Sequence, residues 1–252
     1  MSLIARWRMN EDAASKTVAD SVGTNHGTSV RNTNLMSVAG PIDGRGFALN
    51  GTGDYVAVGD DAIFTPALTP FMVSAWVNMT DATNFNIASK GILNTDGEWR
   101  LRFGPTDKLS LIIIDNDAAD RYIGRSYNFA YTALQGTWTH IAATYDGGTL
   151  SSGIKLYING VKVDATDQKA GTFVTMVASG HDVWIGRDDT EYSNGSIDDV
   201  RIYNEASVQQ VREIYLQGIG SGLYGSGNST GIFPATNDSI FTGDSVAGNS
   251  IY

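Results

Sequence analysis

Gly195-Ser-Ile-Asp-Asp-Val-Arg-Ile-Tyr203 is the stretch on which the fold turns. Read as a strand, its side chains take alternate faces. Ser196, Asp198, Val200 and Ile202 fall on one face, and Ile197, Asp199, Arg201 and Tyr203 on the other. Val200 and Ile202 read as core residues, so Asp198 shares an apolar face. A buried carboxylate is costly unless it is paired or holds a metal. No cysteine or histidine stands near it in sequence. Two readings answer it: a calcium ion, or loop amides that donate to a carboxylate at the frayed start of the strand.

Composition narrows the classes. The chain has 252 residues, 42% of them hydrophobic, which suits one large all-β domain or one domain with an appendage. A formal net charge of −10 argues against a phosphate-tracking basic surface, so nucleic acid is not an expected partner. The absence of cysteine removes disulfide frameworks and zinc-thiolate sites. The N-terminus, Met1-Ser-Leu-Ile-Ala-Arg-Trp-Arg-Met-Asn10, has no apolar run of signal-peptide length, and no run of about 18 apolar residues follows to span a membrane. The expectation is a chain not exported by the usual route.

Outward from the key stretch the pattern is one of short strands and Gly/Asn/Asp turns. Leu3 to Met9 alternates apolar and polar. Further strands are expected over 86–89, 98–103, 108–114, 121–126 and 182–187. Asn159-Gly160 is the preferred two-residue hairpin turn. It sets Ile158 opposite Val161, Leu156 opposite Val163 and Ile154 opposite Ala165. Lys155, Tyr157, Lys162 and Asp164 take the other face, which predicts a one-sided sheet. Ser207-Val-Gln-Gln210 fits a capping box, and Val208, Val211, Ile214 and Tyr215 then repeat at helical spacing until Gly218, read as the stop.

Several segments, in order, resemble laminin-G-like, concanavalin A-like jelly-roll domains. They are Val18-Ala-Asp-Ser-Val-Gly-Thr-Asn-His-Gly27, Gly46-Phe-Ala-Leu-Asn-Gly-Thr-Gly-Asp-Tyr-Val-Ala-Val58, Phe71-Met-Val-Ser-Ala-Trp-Val77, Trp138-Thr-His-Ile-Ala-Ala-Thr-Tyr-Asp146 and the key stretch followed by Asn204 and the short helix. Ala206 departs from the leucine usual before the helix cap. The resemblance implies an all-β, antiparallel two-sheet jelly-roll sandwich over 1–217, with one short C-terminal helix. Residues 218–252 change character to a Gly/Ser-rich extended tail. The tail's spaced apolar pairs, with Phe233, Phe241 and Tyr252 as anchors, suggest a strap across a neighbouring subunit of a homo-oligomer or larger assembly.

The resemblance also implies a structural calcium ion held by Asp20, Asn25, the Gly51 carbonyl, Asp54 and Asp198. Asp115 to Asp120 lacks the glycine and glutamate of an EF-hand and reads as a solvated hairpin tip, as does Asp188-Asp-Thr-Glu191. Glycosidases on such sandwiches carry paired carboxylates on one strand. The five glutamates here, at 11, 98, 191, 205 and 213, make no such pair. No nucleophile motif occurs and His140 reads as core or interface, so a non-enzyme is expected. Sugar sites combine aromatic faces with a few polar groups. Tyr122 and Tyr127, from a segment that also holds Phe129 and Tyr131, and Tyr192 are the candidates. The expected function is a binding or adhesion module. It would serve as a virion decoration or tail protein, with cell-surface polysaccharide as a partner, or as the carbohydrate-binding module of a secreted protein. Its place would be the virion surface or the extracellular space.

Overall fold

The computed structural model describes residues 2–92, 95–116, 119–163 and 165–223. Phe233, Phe241 and Tyr252 lie outside these. Among the described residues, two large antiparallel sheets face each other. The first runs Val161–Lys162, Lys155–Ile158, Thr139–Tyr145, Phe71–Asp81, Asn194–Tyr203, Gly46–Asn50, Ser37–Val38, with Leu3–Trp7 also paired to Asn194–Tyr203. The second runs Ala165–Ala170, Arg121–Tyr127, Leu109–Asn116, Trp99–Phe103, Asn86–Lys90, Val183–Ile185, Val56–Val58, Gly27–Ser29, Thr17–Val18. A small hairpin, Arg187–Asp188 with Glu191–Tyr192, stands apart. Val73, Ala75, Val77, Ile141 and Ala143 from the first sheet meet Trp99, Leu101, Leu111, Val183 and Ile185 from the second in one apolar core. This is the expected jelly-roll sandwich.

The key strand departs from simple alternation. Ile197 and Asp198 pair with Val77 and Trp76, and Arg201 pairs with Ser74, so one extra residue sits between them. That bulge is at Asp199, whose φ is +53°. It flips the parity. Ile197, Val200 and Ile202 all enter the core, while Asp198 stands on the opposite face beside Trp76. The expectation that Asp198 shares the face of Val200 and Ile202 is therefore corrected. The bulge also divides the strand's free edge: residues 194–197 pair with Gly46–Asn50 and 200–203 with Leu3–Trp7.

A helix, Val208–Leu223, covers the outer face of the first sheet. The Ser207 hydroxyl accepts from the Gln210 amide at 3.2 Å, the serine half of the expected capping box. Val211 and Ile214 pack on Met72, Ala142, Tyr157 and Tyr203. The sheet is thus buried on both faces where the helix lies, and the one-sided reading fails at Tyr157, which is 1% exposed, and at Val161, expected in the core and 64% exposed. The Asn159-Gly160 turn forms with φ of +51° and +77°, as expected of a hairpin with both central residues left-handed. Its arms separate early: Ala165–Ala170 crosses to pair with Arg121–Tyr127 in the second sheet, so Ala165 does not face Ile154. Gly218 does not stop the helix. A Cβ there would lie 2.1 Å from Trp76 Cζ2, so glycine lets the helix settle on the indole.

The solvated reading of two acidic runs is also corrected. Asp188 is 1% exposed and lies 3.6 Å from Arg100 Nη1, while Glu191 pairs with Arg102 at 2.6 Å. Asp115 is almost buried and accepts from Arg121 and from the Val174 amide. Asp115 is met by an arginine on the paired strand, and Asp188 by arginines from the 99–103 strand of the second sheet. No described helix is long and apolar enough to cross a membrane.

Candidate functional site

Strand parity builds the site. In Val183–Ile185 the outer two residues enter the core and Trp184 points away from it. Gly186 follows with φ of +84°, and a Cβ there would lie 2.6 Å from Leu49 Cδ1. That turn sets Arg187 back over the strand it has left. Its guanidinium carbon lies 4.2 Å from the Trp184 ring centroid, 4.7 Å from Tyr55 and 5.3 Å from Tyr192. Tyr55 meets Trp184 edge-on at 6.4 Å and Tyr192 at 6.2 Å. All four side chains are half-buried. A guanidinium over aromatic faces is attracted by the ring quadrupoles. Arg187 Nε donates to the Asp189 carbonyl at 2.5 Å, and among the described residues its Nη atoms make no hydrogen bond.

The rim is rigid. Asn50 Oδ1 accepts from the amides of Thr52, Gly53 and Asp54, and the Gly51 amide donates to the Ser193 carbonyl at 3.0 Å. Asp54 is held by a two-pronged pair with Arg31, at 2.7 and 2.5 Å. Tyr55 follows directly, so the braced loop adjoins the aromatic group.

Of the three tyrosines expected from sequence, the structure places Tyr192 in this group and separates the others. Tyr127 packs with Phe129 at 5.5 Å and Tyr131 at 5.3 Å. Tyr127 and Tyr131 lie against the core, and burial, with Tyr127 beside it, pushes the Tyr131 hydroxyl up to about 12. Tyr122 is half-buried between Ile114 and Ala170 in register and belongs to neither group. Tyr55, Trp184 and Arg187 are not among the residues that sequence reasoning singles out. The signal available was Trp184, an aromatic at an outward position between two core residues. On the opposite sheet a cleft of about 670 Å³ opens between the 40–44 loop, Trp76, Trp138 and the helix end. Trp76 is 3% exposed, so Trp138 is the ring this cleft presents.

The five residues expected around calcium sit in three places. Asp20 accepts from the amides of Arg6, Val22 and Asn25, and the Asn25 carbonyl accepts from Trp7 Nε1. Asp54 is taken by Arg31, with Gly51 in the same loop. Asp198 Oδ2 accepts from the Ile42 amide at 2.8 Å under the 40–44 loop. No group of three or more His, Asp or Glu side chains among the described residues could hold an ion. Calcium needs six to eight oxygens; Asp20 and Asp54 are spent on protein donors, and Asp198, with only its Oδ2 so used, stands in a separate place, so the set does not fit the ion. Chelation with EDTA is expected to leave the melting temperature unchanged, since only a ligand that binds the native state stabilises it. A fall of several degrees, reversed by calcium, would restore the ion.

Asp198 and His140 share a cross-strand row with Trp76. His140 is fully buried, 5.4 Å from the Trp76 ring and 6.3 Å from that of Tyr215, which makes it an interior histidine. Burial, with Arg201 nearby, holds its imidazole down to about 3. Burial pushes the Asp198 carboxyl up to about 8, helped by Asp199 and Asp43 and opposed by the Ile42 amide. Neither side chain is placed to act on a ligand at the aromatic group on the other sheet.

No curated protein sequence matches the chain. Among solved structures, it is similar to domain 4 of AbnA, a GH43 extracellular arabinanase from Geobacillus stearothermophilus, in complex with arabinotriose. The TM-score is 0.62 at 21% identity, over 85% of this chain and 98% of that one. It is also similar to the receptor-binding domain of botulinum neurotoxin C/D mosaic serotype, with a TM-score of 0.60 at 16% identity over 85% of this chain and 51% of that one. The binding domain of Paraclostridial Mosquitocidal Protein 1 gives 0.60 at 16%, over 84% and 51%. The chain thus spans about half the length of these toxin domains, and at such identities the likeness is one of fold. The laminin-G model of the concanavalin A-like lectin/glucanases superfamily matches residues 50–211. With the sandwich, its register and that match together, the chain belongs to the laminin-G-like part of the concanavalin A-like lectin/glucanase superfamily.

Proposed function

We propose that this protein is a non-catalytic carbohydrate-binding module and that a sugar ring docks on Tyr55, Trp184 and Tyr192. The observation that carries the reading is the cluster of three half-buried rings fixed about one arginine, beside a rigid loop of backbone amides. The ring surface that Arg187 leaves uncovered suits the C–H face of a pyranose or furanose, and the polar rim orients its hydroxyls. A saccharide ligand is further supported by domain 4 of AbnA, which has the same fold and whose structure is a complex with arabinotriose. The virion reading leans on an extended tail over 218–252; residues 218–223 are instead the end of the helix, 224–252 lie outside the described residues, and no structural observation favours that reading.

Trp184→Ala and Tyr192→Ala are each expected to weaken glycan binding at least tenfold by titration calorimetry, after a glycan array has identified a ligand. The melting temperature of each variant should move by only a few degrees, because both rings are partly exposed. Binding that survives the double variant would move the site elsewhere, with Phe129 and Trp138 the next rings to change.

A further inference from the structure

We infer that the sugar bound at this platform is acidic, carrying a carboxylate that seats on the outer nitrogens of Arg187. The inference rests on the carbohydrate reading and goes beyond it by naming the ligand's charge.

It starts from how the arginines of this region are used. Arg31 is committed to Asp54 and Arg102 to Glu191, and both Arg100 and Arg102 lie close to Asp188. Each of these cations stands beside a carboxylate. Arg187 differs. No carboxylate lies within ion-pair distance of its guanidinium among the described residues. Its Nε is spent on the Asp189 carbonyl, and three rings hold the plane of the group. What is left is the planar fork of Nη1 and Nη2 at a half-buried position. That fork matches a carboxylate in two parallel hydrogen bonds, and charge-assisted bonds of this kind are about twice as strong as neutral ones. The rings have already fixed the guanidinium, so little side-chain entropy remains to be lost on binding.

Overall charge sharpens the point. At a net −10 the chain repels polyanions as a whole. A carboxylated glycan would therefore bind through a local match. The reach is suitable too. A hexuronate bears its carboxylate on the ring carbon that a neutral hexose uses for its hydroxymethyl group. The guanidinium carbon lies over the Trp184 ring, 4.2 Å from its centroid, so a pyranose packed beside the arginine, against the ring surface it leaves uncovered, can direct that substituent to the outer nitrogens.

The test uses the full chain and three uronate polymers, polygalacturonate, alginate and hyaluronan, each beside its carboxyl-reduced form. Affinity electrophoresis and calorimetry are expected to show binding to at least one uronate polymer, weakened tenfold or more when its carboxyls are reduced to alcohols. That binding should weaken as salt rises from about 50 to 500 mM. Arg187→Gln is expected to abolish it, and Arg187→Lys, which keeps the charge and loses the fork, to recover only part. Equal binding to native and reduced polymers, lost in Trp184→Ala, would overturn the acidic ligand and leave the sugar platform standing. Binding of neutral glycans alone would do the same. No binding to any polymer of the panel or to any array glycan would overturn both. The polymer comparison uses the unaltered protein, so it discriminates even if Arg187→Gln disturbs the hairpin.

Discussion

Asp199→Ala is expected to destabilise the protein by about 3–5 kcal/mol, the usual cost of leaving one partner of a buried ion pair alone. Asp199 is fully buried. Its Oδ1 accepts from Arg6 Nε at 2.6 Å, and its Oδ2 from Arg201 Nε at 2.8 Å. Arg201 is 3% exposed and keeps only the Gln217 Oε1 at 2.9 Å and a long contact to Tyr203 once the carboxylate is gone. A guanidinium without its carboxylate then remains between the sheet and the helix. The backbone adds a second cost, because φ at Asp199 is +53° and alanine tolerates that region about 1–2 kcal/mol worse than a regular conformation. Aspartate and asparagine are several-fold enriched there.

Two companion variants separate these causes. Asp199→Asn keeps the backbone preference and one acceptor, so it should lose less than alanine does. Pairing Asp199→Asn with Arg201→Met removes both charges and should lose less than Asp199→Ala alone, in line with buried pairs that can be replaced by apolar groups. Urea titration followed by tryptophan fluorescence measures each. A loss below about 1 kcal/mol for Asp199→Ala would mean that the ion pair is not what holds the bulge.

Asp198 carries the second large effect, and its sign is opposite. Its carboxyl sits near 8 in the folded protein against an ordinary value of 3.8. The folded state therefore keeps a proton that the unfolded chain releases from about pH 4 upward. Between pH 4 and 8 ionisation favours the unfolded chain. This group's contribution to stability falls across that window and is level above it. At about 1.4 kcal/mol per pH unit the full cost is on the order of 5 kcal/mol. Asp198→Asn removes it. The new amide nitrogen lacks an acceptor where Oδ1 has no partner now, which returns about 1–3 kcal/mol. A net gain of about 2–4 kcal/mol at pH 8 is expected, with no gain at pH 3.5.

His140 bounds the other side of the profile. Its imidazole stays neutral in the fold down to about 3, whereas the unfolded chain takes up the proton below about 6.5. Stability from this group is complete above 6.5 and is lost as pH falls toward 3. His140→Phe is expected to flatten the acid limb and Asp198→Asn the neutral-to-alkaline limb. Melting temperatures from pH 3.5 to 8.5 on the wild type and both variants decide it. An Asp198→Asn protein less stable than wild type at pH 8 would show the carboxylate ionised and useful in the fold.

Local chemistry suffices for much of the architecture. The turn at Asn159-Gly160, the cap at Ser207 and the alternation from Leu3 to Met9 each depend on backbone preferences and apolar spacing within a few residues. All three can be read along the chain, and the order of the motifs points to the sandwich. Charges and aromatics are legible only as residue types. Asp198 reads as a carboxylate that something must answer, but strict alternation puts it on the wrong face. A single left-handed residue at Asp199 shifts parity, and nothing in Asp198-Asp199 marks which residue takes it. Tyr157 belongs to a solvent face by its own hairpin, until the helix of residues 208–223 is laid across it. Asp115 looks solvated because the hairpin that folds Arg121 back onto it carries no recognised turn signal, and Asp188 because Arg100 is 88 positions away and reaches it only in the folded sheet.

The platform shows the same division. Tyr192 is a candidate on its own, an aromatic in a polar loop. Tyr55, Trp184 and Arg187 join it through the pairing of Val183–Ile185 with Val56–Val58, residues more than 120 positions apart, and through the fold-back at Gly186. Spacing along a chain reports what lies within a turn or a hairpin, since those contacts repeat with the backbone's own period. The class of fold, its turns and its helix cap are therefore written in the order of residues alone. Which rings surround Arg187, and which face receives Asp198, follow from strand order and one bulge, because the packing of distant strands has no period that a linear sequence can carry.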